Sequence, residues 1–340
     1  MRVFITGVAG FLGSHLADNF TKEGHHVMGA DSLIGGDMNN VSRGSVLLTF
    51  DCRNLETLTR VMQEFKPDVV YHTACYPHEG LSVFSPTEIS DSVFRTSVAV
   101  MTASINSGVK RVVNMSSMAR YGDRFTPPFH EWHVTGPVDP YGMAKVAAEN
   151  VMRLLAKVHN IEFINTIPHN LVGKNQKYDD PYRNVVSIMC NRMLQGKPPI
   201  IYGDGKQTRC FSHIDDVIPT LFAMSNLSNK VIVGEDFNIG PDENPISIYE
   251  LFKVISKQLG FKKDPIFYPD RPQEVKHAAC SSDKIRKFFG YSTRRTIDDM
   301  VADVIAHIRE RGTRPFKYHL DLEIVNEKTP RTWSKKEMSQ

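Results

Sequence analysis

The stretch that decides the fold runs from Met1 to Asp31 and reads MRVFITGVAGFLGSHLADNFTKEGHHVMGAD. A short apolar strand leads into three glycines spaced Gly-x-x-Gly-x-x-Gly, and a helical segment and a second strand follow. Glycines at such a strand–helix turn allow a tight bend and a close backbone approach to a pyrophosphate, which the helix N-terminus attracts. The stretch therefore predicts a dinucleotide-binding turn made by Gly7, Gly10, Phe11, Leu12 and Gly13.

The second strand, HHVMGAD, ends in Asp31. An acidic residue is expected about 20 residues beyond the glycines of such a turn, where it accepts hydrogen bonds from the adenosine ribose. A carboxylate at this place also repels the additional phosphate of NADP. The expected cofactor is therefore NAD.

Strand-like and helix-like segments alternate through the first half of the chain. The predicted strands end near Asp51, Ala74, Ser117 and Asn170. This alternation predicts an α/β fold with a Rossmann-like, doubly wound parallel sheet, in which ligands bind at the carboxyl ends of the strands.

The pattern becomes irregular and richer in Pro, Gly and Asp after about residue 173. We expect an NAD-binding domain over residues 1–172, to which some later segments return. A smaller α/β domain for the substrate is expected over residues 173–310. For the tail over 311–340 an edge strand, a subunit contact and partial disorder all remain open.

The composition is that of an enzyme rather than a nucleic-acid-binding or membrane protein. The chain has 340 residues, 41% of them hydrophobic, and a net charge of +3, which is too small to argue for nucleic acid. It has no apolar run near the ~20 residues of a membrane span, and it opens directly into a strand, without room for a signal peptide. Its five scattered cysteines lack metal-type spacing, so we expect no metal and reduced thiols in the cytoplasm.

A second informative stretch, Asn114–Lys145, contains the candidate catalytic residues. Asp139 and Pro140 suit the N-cap and first position of a helix on which Tyr141 and Lys145 share one face. A neighbouring cation favours the phenolate, so we expect Lys145 to lower the pKa of Tyr141 and make it a general base. Ser117, at the end of the preceding strand, would add a hydrogen bond to the same substrate oxygen.

These motifs together resemble the extended short-chain dehydrogenase/reductases that act on nucleotide sugars, and most closely the UDP-hexose 4-epimerases. The resemblance runs from Met1 to about Ile308. Besides GVAGFLG, Asp31 and YGMAK, it rests on the segment Tyr202–Val217 (YGDGKQTRCFSHIDDV) and on the short motifs NVV, FNIGP and RPQEV.

The resemblance implies a role for further residues. It places Asp51 and Cys52 at the adenine of NAD, and Ala74 and Pro168 near the nicotinamide half. Contacts to the sugar nucleotide are implied for Asn170, Asn184, Arg209, Arg271, Glu274 and Ala278. Independently, two arginines suit a diphosphate, because planar guanidinium groups make bidentate charged hydrogen bonds. Glu274 would orient Arg271 or bind the nucleotide ribose, and the small Ala278 would leave room for a C2 acetamido group.

Some residues depart from the family pattern. His169 stands where many relatives have an aromatic residue, and a packing or nicotinamide-side role is favoured over an acid/base role. For His78 and Glu79 a solvated loop is slightly favoured over contact with the sugar. The dehydratases of the family have an Asp-Glu pair that transfers protons. This chain has Met118 and Ala119 at these positions, and neither side chain can transfer a proton.

The predicted activity is therefore NAD-dependent 4-epimerisation of a UDP-hexose. A 4-dehydrogenase or 4-ketosugar reductase remains the alternative enzyme, and a catalytically silent NAD-binding scaffold or sensor is the alternative of another class. The family also implies a homodimer formed by helices that start near Val93 and Tyr141, with the runs VAVMTASI and VAAENVMRLL supplying apolar surface.

Overall fold

A computed structural model describes residues 1–339. The strands it contains there are β1 (Arg2–Thr6), β2 (His26–Asp31), β3 (Ser45–Thr49), β4 (Val69–His72), β5 (Arg111–Met115), β6 (Glu162–Pro168), β7 (Leu171–Val172), β8 (Ile200–Tyr202), β9 (Thr208–Arg209), β10 (Ser212–His213), β11 (Asp236–Ile239), β12 (Ile246–Ser247), β13 (Ile266–Tyr268) and β14 (His277–Ala278).

The α-helices are α1 (Phe11–Lys22), α2 (Leu55–Phe65), α3 (Glu79–Ser82), α4 (Pro86–Asn106), α5 (Pro140–His159), α6 (Val185–Leu194), α7 (Ile214–Ala223), α8 (Ile248–Leu259), α9 (Asp283–Phe289), α10 (Ile297–Arg311) and α11 (Arg331–Ser334). None of the helices within residues 1–339 combines the length and the apolar character needed to cross a membrane.

Seven strands form one parallel sheet in the order β11-β6-β5-β4-β1-β2-β3. The order reverses between β1 and β4, which is the doubly wound arrangement that the alternating sequence pattern predicted. Strand β11 comes from beyond residue 173 and pairs with β6 in parallel. The large sheet therefore includes one strand from the second half of the chain.

Each face of the large sheet is covered by helices because its strands are apolar on both sides. Val3 and Ile5 of β1 pack on the side of α1, α7 and α9, whereas Phe4 between them packs on the side of α2, α4 and α5. This alternation follows from the two-residue period of a strand. The sandwich holds the carboxyl ends of the strands at a single edge.

The second layer of the molecule is built around α6, α8 and α10, whose apolar faces share one core with Val172, Ile201 and Phe211. Short two- and three-stranded sheets flank these helices. β9 is the centre of one of them, between β12 and β14. This unit lies above the carboxyl edge of the large sheet and forms the other wall of the cavity described below.

The tail is ordered through residue 339 and contains no strand within the described residues. Trp333 of α11 is buried against the rings of Phe84 and Tyr182. Glu323 accepts hydrogen bonds from the N–H groups of Thr87 and Glu88, at 2.9 and 2.8 Å, and so caps helix α4. The tail thus packs against both units of the molecule.

The buried His72 makes folding stability dependent on pH. Its ring hydrogen-bonds the hydroxyls of Thr6 and Ser97, at 2.9 and 3.0 Å. Burial lowers the pKa of His72 to about 3. Because the unfolded chain takes up a proton near pH 6.5 and the folded one does not, stability is lost as the pH falls below 6.5.

We predict that replacing His72 with Asn reduces the loss of folding stability at acidic pH. The contribution of His72 to the loss between pH 6.5 and pH 5 is about 2 kcal/mol, at about 1.4 kcal/mol per pH unit. Urea unfolding at pH 7.5 and pH 5 measures it in the wild type, in His72→Asn and in a control with the exposed His159 replaced by Ala. An equal drop in stability on acidification in all three proteins would contradict the prediction.

Candidate active site

One cavity of about 470 Å³ opens at the carboxyl edge of the large sheet, beneath the second unit. With the exception of Ala278, every site residue expected from the sequence lines it. These residues are Gly7, Gly10, Phe11, Leu12, Gly13, Asp31, Asp51, Cys52, Ala74, Ser117, Tyr141, Lys145, Pro168, Asn170, Asn184, Arg209, Arg271 and Glu274.

The glycine turn is held in a shape that only glycine permits. Gly7 has a positive φ of 73°, which residues with a side chain rarely adopt. A Cβ on Gly13 would lie 2.1 Å from the carbonyl oxygen of Gly7. The first turn of α1 therefore sits directly on the turn, and its free N–H groups face the cavity, where a pyrophosphate would be bound.

Asp31 is positioned by two backbone hydrogen bonds. Its carboxylate accepts from the N–H of Ala9 at 3.0 Å and from the N–H of Leu33 at 2.8 Å. Burial raises the pKa of Asp31, while these N–H groups oppose that shift. The carboxylate at the end of β2 thus also fixes the shape of the glycine turn.

The expected adenine contacts follow strand β3. Cys52 is buried, and Asp51 forms an ion pair of 2.7 Å with Arg53. Although burial opposes it, hydrogen bonding to Arg53 lowers the pKa of Asp51. Asp51 is therefore an anionic group at this end of the cavity, and its orientation is set by Arg53.

Helix α5 begins as the sequence predicted. The Asp139 side chain accepts from the N–H of Gly142 at 2.9 Å, and Pro140 takes the first helical position. This start directs Tyr141 and Lys145 into the cavity. The Lys145 ammonium donates to the Met115 carbonyl at 2.7 Å and lies 5.8 Å from the centre of the Tyr141 ring.

The expectation that Lys145 lowers the pKa of Tyr141 is wrong for the protein without bound ligand. Burial raises the pKa of Tyr141 well above its ordinary value, and Cys75 and Glu79 add to the effect. The Ser117 hydroxyl opposes this shift by hydrogen bonding. The ammonium of Lys145 donates to a backbone carbonyl, and Lys145 is not among the groups that shift the pKa of Tyr141.

Arg271 and Glu274 form a two-point ion pair at the other end of the cavity. The Arg271 Nε and Nη2 atoms donate to the carboxylate at 3.2 and 2.9 Å. The guanidinium also lies over the Tyr202 ring, with its central carbon 4.7 Å from the ring centre. These contacts hold Arg271 in one orientation, as expected of a residue that Glu274 orients.

Arg209 is held mainly by backbone carbonyls. It donates to the carbonyl oxygens of Thr208, Val275 and Lys276, at 2.8, 2.7 and 3.1 Å, and lies 3.7 Å from Glu274. The two arginines therefore share one carboxylate. The pair of guanidinium groups leaves a net positive charge at this end of the cavity.

Two asparagines of the site also have structural tasks. Asn184 caps α6 by accepting from the N–H of Val186 at 2.9 Å. Asn170 has a positive φ of 45° and donates to the carbonyl of Cys210 at 3.0 Å. Both side chains line the cavity from the turns they stabilise.

Ala278 does not line the cavity. It is buried on β14, in register with Arg209 of β9, and packs with Tyr121, Phe129 and Cys280. A larger side chain there would enter this apolar cluster, so the geometry does not support the expectation that Ala278 leaves room beside the sugar. His169 is likewise buried outside the cavity, with Nε2 2.9 Å from the Pro241 carbonyl, which fits the packing role.

The interpretation of His78 as a solvated loop residue is wrong, because His78 is buried, with Nε2 3.0 Å from a carboxylate oxygen of Asp180. Glu79 lines the cavity with an exposed side chain. Loss of solvation at the cavity wall raises the pKa of Glu79 to about 7, and Asp139 adds to the shift. Sequence reasoning also missed Met338 of the tail as a lining residue, because no motif marks it.

The fold and the site define an α/β enzyme that binds a dinucleotide on a glycine-rich turn and carries a Tyr–Lys pair at the end of the sheet. A family model described as the NAD dependent epimerase/dehydratase family matches residues 3–240. The chain belongs to this NAD-dependent family, and its cofactor is NAD.

Curated relatives and solved structures agree with the family. The UDP-glucose 4-epimerase of Mycolicibacterium smegmatis is 28% identical over 92% of this chain and all of its own length. The UDP-glucose 4-epimerase of Thermotoga maritima, solved with UDP-glucose, is 26% identical with a TM-score of 0.85, over 92% of this chain and 99% of that one. The UDP-glucuronic acid 4-epimerase of Bacillus cereus, solved with UDP-glucuronic acid and NAD, is 25% identical with a TM-score of 0.83, over 92% and 100%.

We predict that replacing Asp31 with Ala relaxes the choice between NAD and NADP. The change removes the charge that repels a 2′-phosphate, so NADP affinity should rise. NAD affinity should fall, because the N–H groups of Ala9 and Leu33 lose their acceptor. Calorimetric titration of both cofactors measures the ratio, with Asp18→Ala on the exposed face of α1 as control.

Equal binding of NAD and NADP by the wild-type protein would contradict this role for Asp31. An unchanged ratio in Asp31→Ala would do the same.

Proposed function

We propose that this protein is an NAD-dependent 4-epimerase of a nucleotide sugar, most suitably a UDP-hexose. The proposal is carried by one observation: Ser117, Tyr141 and Lys145 share a cavity with the dinucleotide turn at one end and the two arginines at the other. A sugar nucleotide whose diphosphate binds Arg209 and Arg271 has its sugar between these arginines and Tyr141. The similarity to epimerases of UDP-sugars favours UDP as the nucleotide.

In the proposed reaction Tyr141 takes the proton of the sugar 4-hydroxyl. Bound NAD supplies the hydride acceptor, and its positively charged ring favours the phenolate. Ser117 holds the reacting oxygen, and Lys145 adds positive charge beside the phenol. The 4-keto sugar would then turn about its diphosphate link, and Tyr141 would return the proton to the oxygen. A cofactor bound at the glycine turn would supply the hydride to the other face of C4.

The residues after Ser117 favour epimerisation over loss of water. Met118 and Ala119 carry no group that transfers a proton, and Met118 packs with the cluster around Tyr121. Elimination needs an acid and a base at the neighbouring carbons. Tyr141 is the acid/base proposed at the end of the sheet, and the chemistry that this arrangement favours is reversible oxidation at one carbon.

The alternative enzyme is a 4-dehydrogenase or a 4-ketosugar reductase. Both release a product whose oxidation state differs from that of the substrate, so they consume cofactor from solution. An epimerase regenerates its NAD in every cycle. The need for added nicotinamide cofactor therefore separates the two proposals.

We predict that the purified protein interconverts UDP-glucose and UDP-galactose, or another pair of UDP-sugars that differ at C4, without added cofactor. Replacing Tyr141 with Phe should slow this by ~100- to 10,000-fold, the usual loss of a general acid/base. Binding of the UDP-sugar should change little. Tyr291→Phe is the control, because this tyrosine lies outside the cavity and its hydroxyl has no partner within the described residues.

Product analysis by chromatography and proton NMR follows the conversion of a panel of UDP-hexoses, UDP-N-acetylhexosamines and UDP-glucuronic acid. Stoichiometric reduction of added NAD would indicate a dehydrogenase instead. A Tyr141→Phe protein with an unchanged rate would exclude Tyr141 as the acid/base.

We also propose that the protein is a homodimer formed by α4 and α5. These helices pack side by side, and four of their apolar side chains are exposed: Phe94, Met143, Leu154 and Val158. The run VAVMTASI, expected to form the contact, is mostly buried against the large sheet. The proposed contact therefore uses the outer faces of the two helices, as a two-fold four-helix interface would.

We predict that the wild-type protein is a dimer by light scattering at micromolar concentration. Replacing Leu154 with Asp should shift it to a monomer, because a charge would be buried in an apolar contact. Val231→Asp is the control, since Val231 is an exposed apolar residue on another surface. A monomeric wild-type protein would contradict the proposal.

A further inference from the structure

Three residues from distant parts of the chain meet beside the cavity. His78 follows β4, Asp180 precedes α6, and His319 belongs to the tail. The Nε2 atoms of His78 and His319 lie 3.0 and 3.5 Å from the same carboxylate oxygen of Asp180. The three atoms all lie within 4.8 Å of one another.

The surrounding hydrogen bonds decide what each atom offers. The Nδ1 atom of His319 lies 3.3 Å from the Lys317 carbonyl, which only accepts. In the tautomer whose Nδ1 donates to this carbonyl, Nε2 has a free lone pair. The other oxygen of Asp180 accepts from the N–H of Tyr182 at 2.9 Å. The remaining oxygen of Asp180, Oδ2, and the Nε2 atom of His319 therefore face each other as two hydrogen-bond acceptors.

Two buried acceptors at this distance repel unless a cation lies between them. His319 Nε2 is buried and has no hydrogen-bond partner within the described residues. The cation is either a second proton on His319 or a metal ion. His78 adds a second nitrogen at the same place, and two imidazoles with one carboxylate are a common ligand set for zinc and related divalent ions.

We propose that His78, Asp180 and His319 bind one divalent transition-metal ion of the zinc type. Ligands at about 2.0–2.1 Å from a tetrahedral ion are about 3.3 Å apart. The two separations from the Asp180 oxygen, 3.0 and 3.5 Å, fall on either side of that value, and the two histidine Nε2 atoms lie within 4.8 Å of each other. The carbonyl of Lys317 orients the His319 ring, as the outer contacts of metal-binding histidines usually do.

The position of the ligands assigns the ion a structural task. His78 and Asp180 are about 98% and 99% buried at their side chains, and both border the cavity. The third ligand, His319, belongs to the tail. Trp333 of the tail packs over Gly80, and Met338 of the tail lines the cavity. The ion would join the tail to the wall of the cavity opposite the large sheet. Its loss should therefore weaken binding of the sugar nucleotide and leave NAD binding unchanged.

The test uses the full-length protein without a polyhistidine tag, stripped with a chelator. Cobalt(II) is the probe, because a tetrahedral site gives it a strong visible absorption, and zinc(II) should displace it. We expect one cobalt per chain and an increase in Tm with either metal, since an ion that binds only the folded state stabilises it. Replacing His319 with Ala should weaken cobalt binding at least tenfold.

His319→Ala suits this test because the residue is in the tail and partly accessible, so the fold does not depend on it. The matched control is His133→Ala, on the exposed loop where His130 and His133 lie side by side and also offer surface metal binding. This control should leave the stoichiometry, the absorption and the Tm increase unchanged. Asp180→Asn should lose binding as His319→Ala does.

If the wild-type protein shows neither a cobalt absorption nor a metal-dependent increase in Tm, the proposal is overturned. The cation between Asp180 and His319 is then a proton on His319. Binding that survives in His319→Ala but is lost in His133→Ala would overturn it as well, because the ion would then sit on the surface loop. None of these outcomes depends on the enzymatic activity.

Discussion

The contact between Gly7 and Gly13 is the constraint on which the rest of the site depends. No side chain fits between them, so the first turn of α1 rests on the backbone at the end of β1. This close approach directs the helix N-terminus to the edge where the parallel strands end. Asp31 from the neighbouring strand then accepts from the N–H of Ala9 within the same turn. The carboxylate that we expect to favour NAD over NADP therefore also fixes the shape of the turn.

The parts of this molecule that sequence reasoning predicted well are those determined by local chemistry. The glycine turn needs only its own backbone, and the start of α5 needs only Asp139, Pro140 and the helical spacing that places Tyr141 beside Lys145. The order of the strands follows from the alternation of strands and helices, which allows few connections. For the same reason, the strand order alone predicts a ligand cavity at the carboxyl edge of the sheet.

The parts that it missed depend on contacts between distant residues. His78 and Asp180 are separated by 102 positions, and no spacing rule joins them to His319 in the tail. The position of Ala278 is decided by the register of β14 on β9, which turns it toward Tyr121 and away from the cavity. The run VAVMTASI in α4 was expected to supply the dimer contact because it is apolar. Its helical period directs most of it toward the sheet instead. Later segments were expected to return to the first domain, but no local pattern identified β11 as the strand that pairs with β6.

The charges along the cavity provide a physical reason for the direction in which a sugar nucleotide would enter it. Burial raises the pKa of Tyr141, and Glu79 and Asp139 add to the shift, while Arg209 and Arg271 line the same cavity. A diphosphate is attracted by the two arginines, so in the proposed reaction it anchors there and leaves the sugar at Tyr141. Burial is the main cause of the raised pKa of Tyr141, and the carboxyl groups add to it. A positively charged cofactor ring bound beside the phenol would oppose this shift and favour the phenolate that the proposed reaction needs.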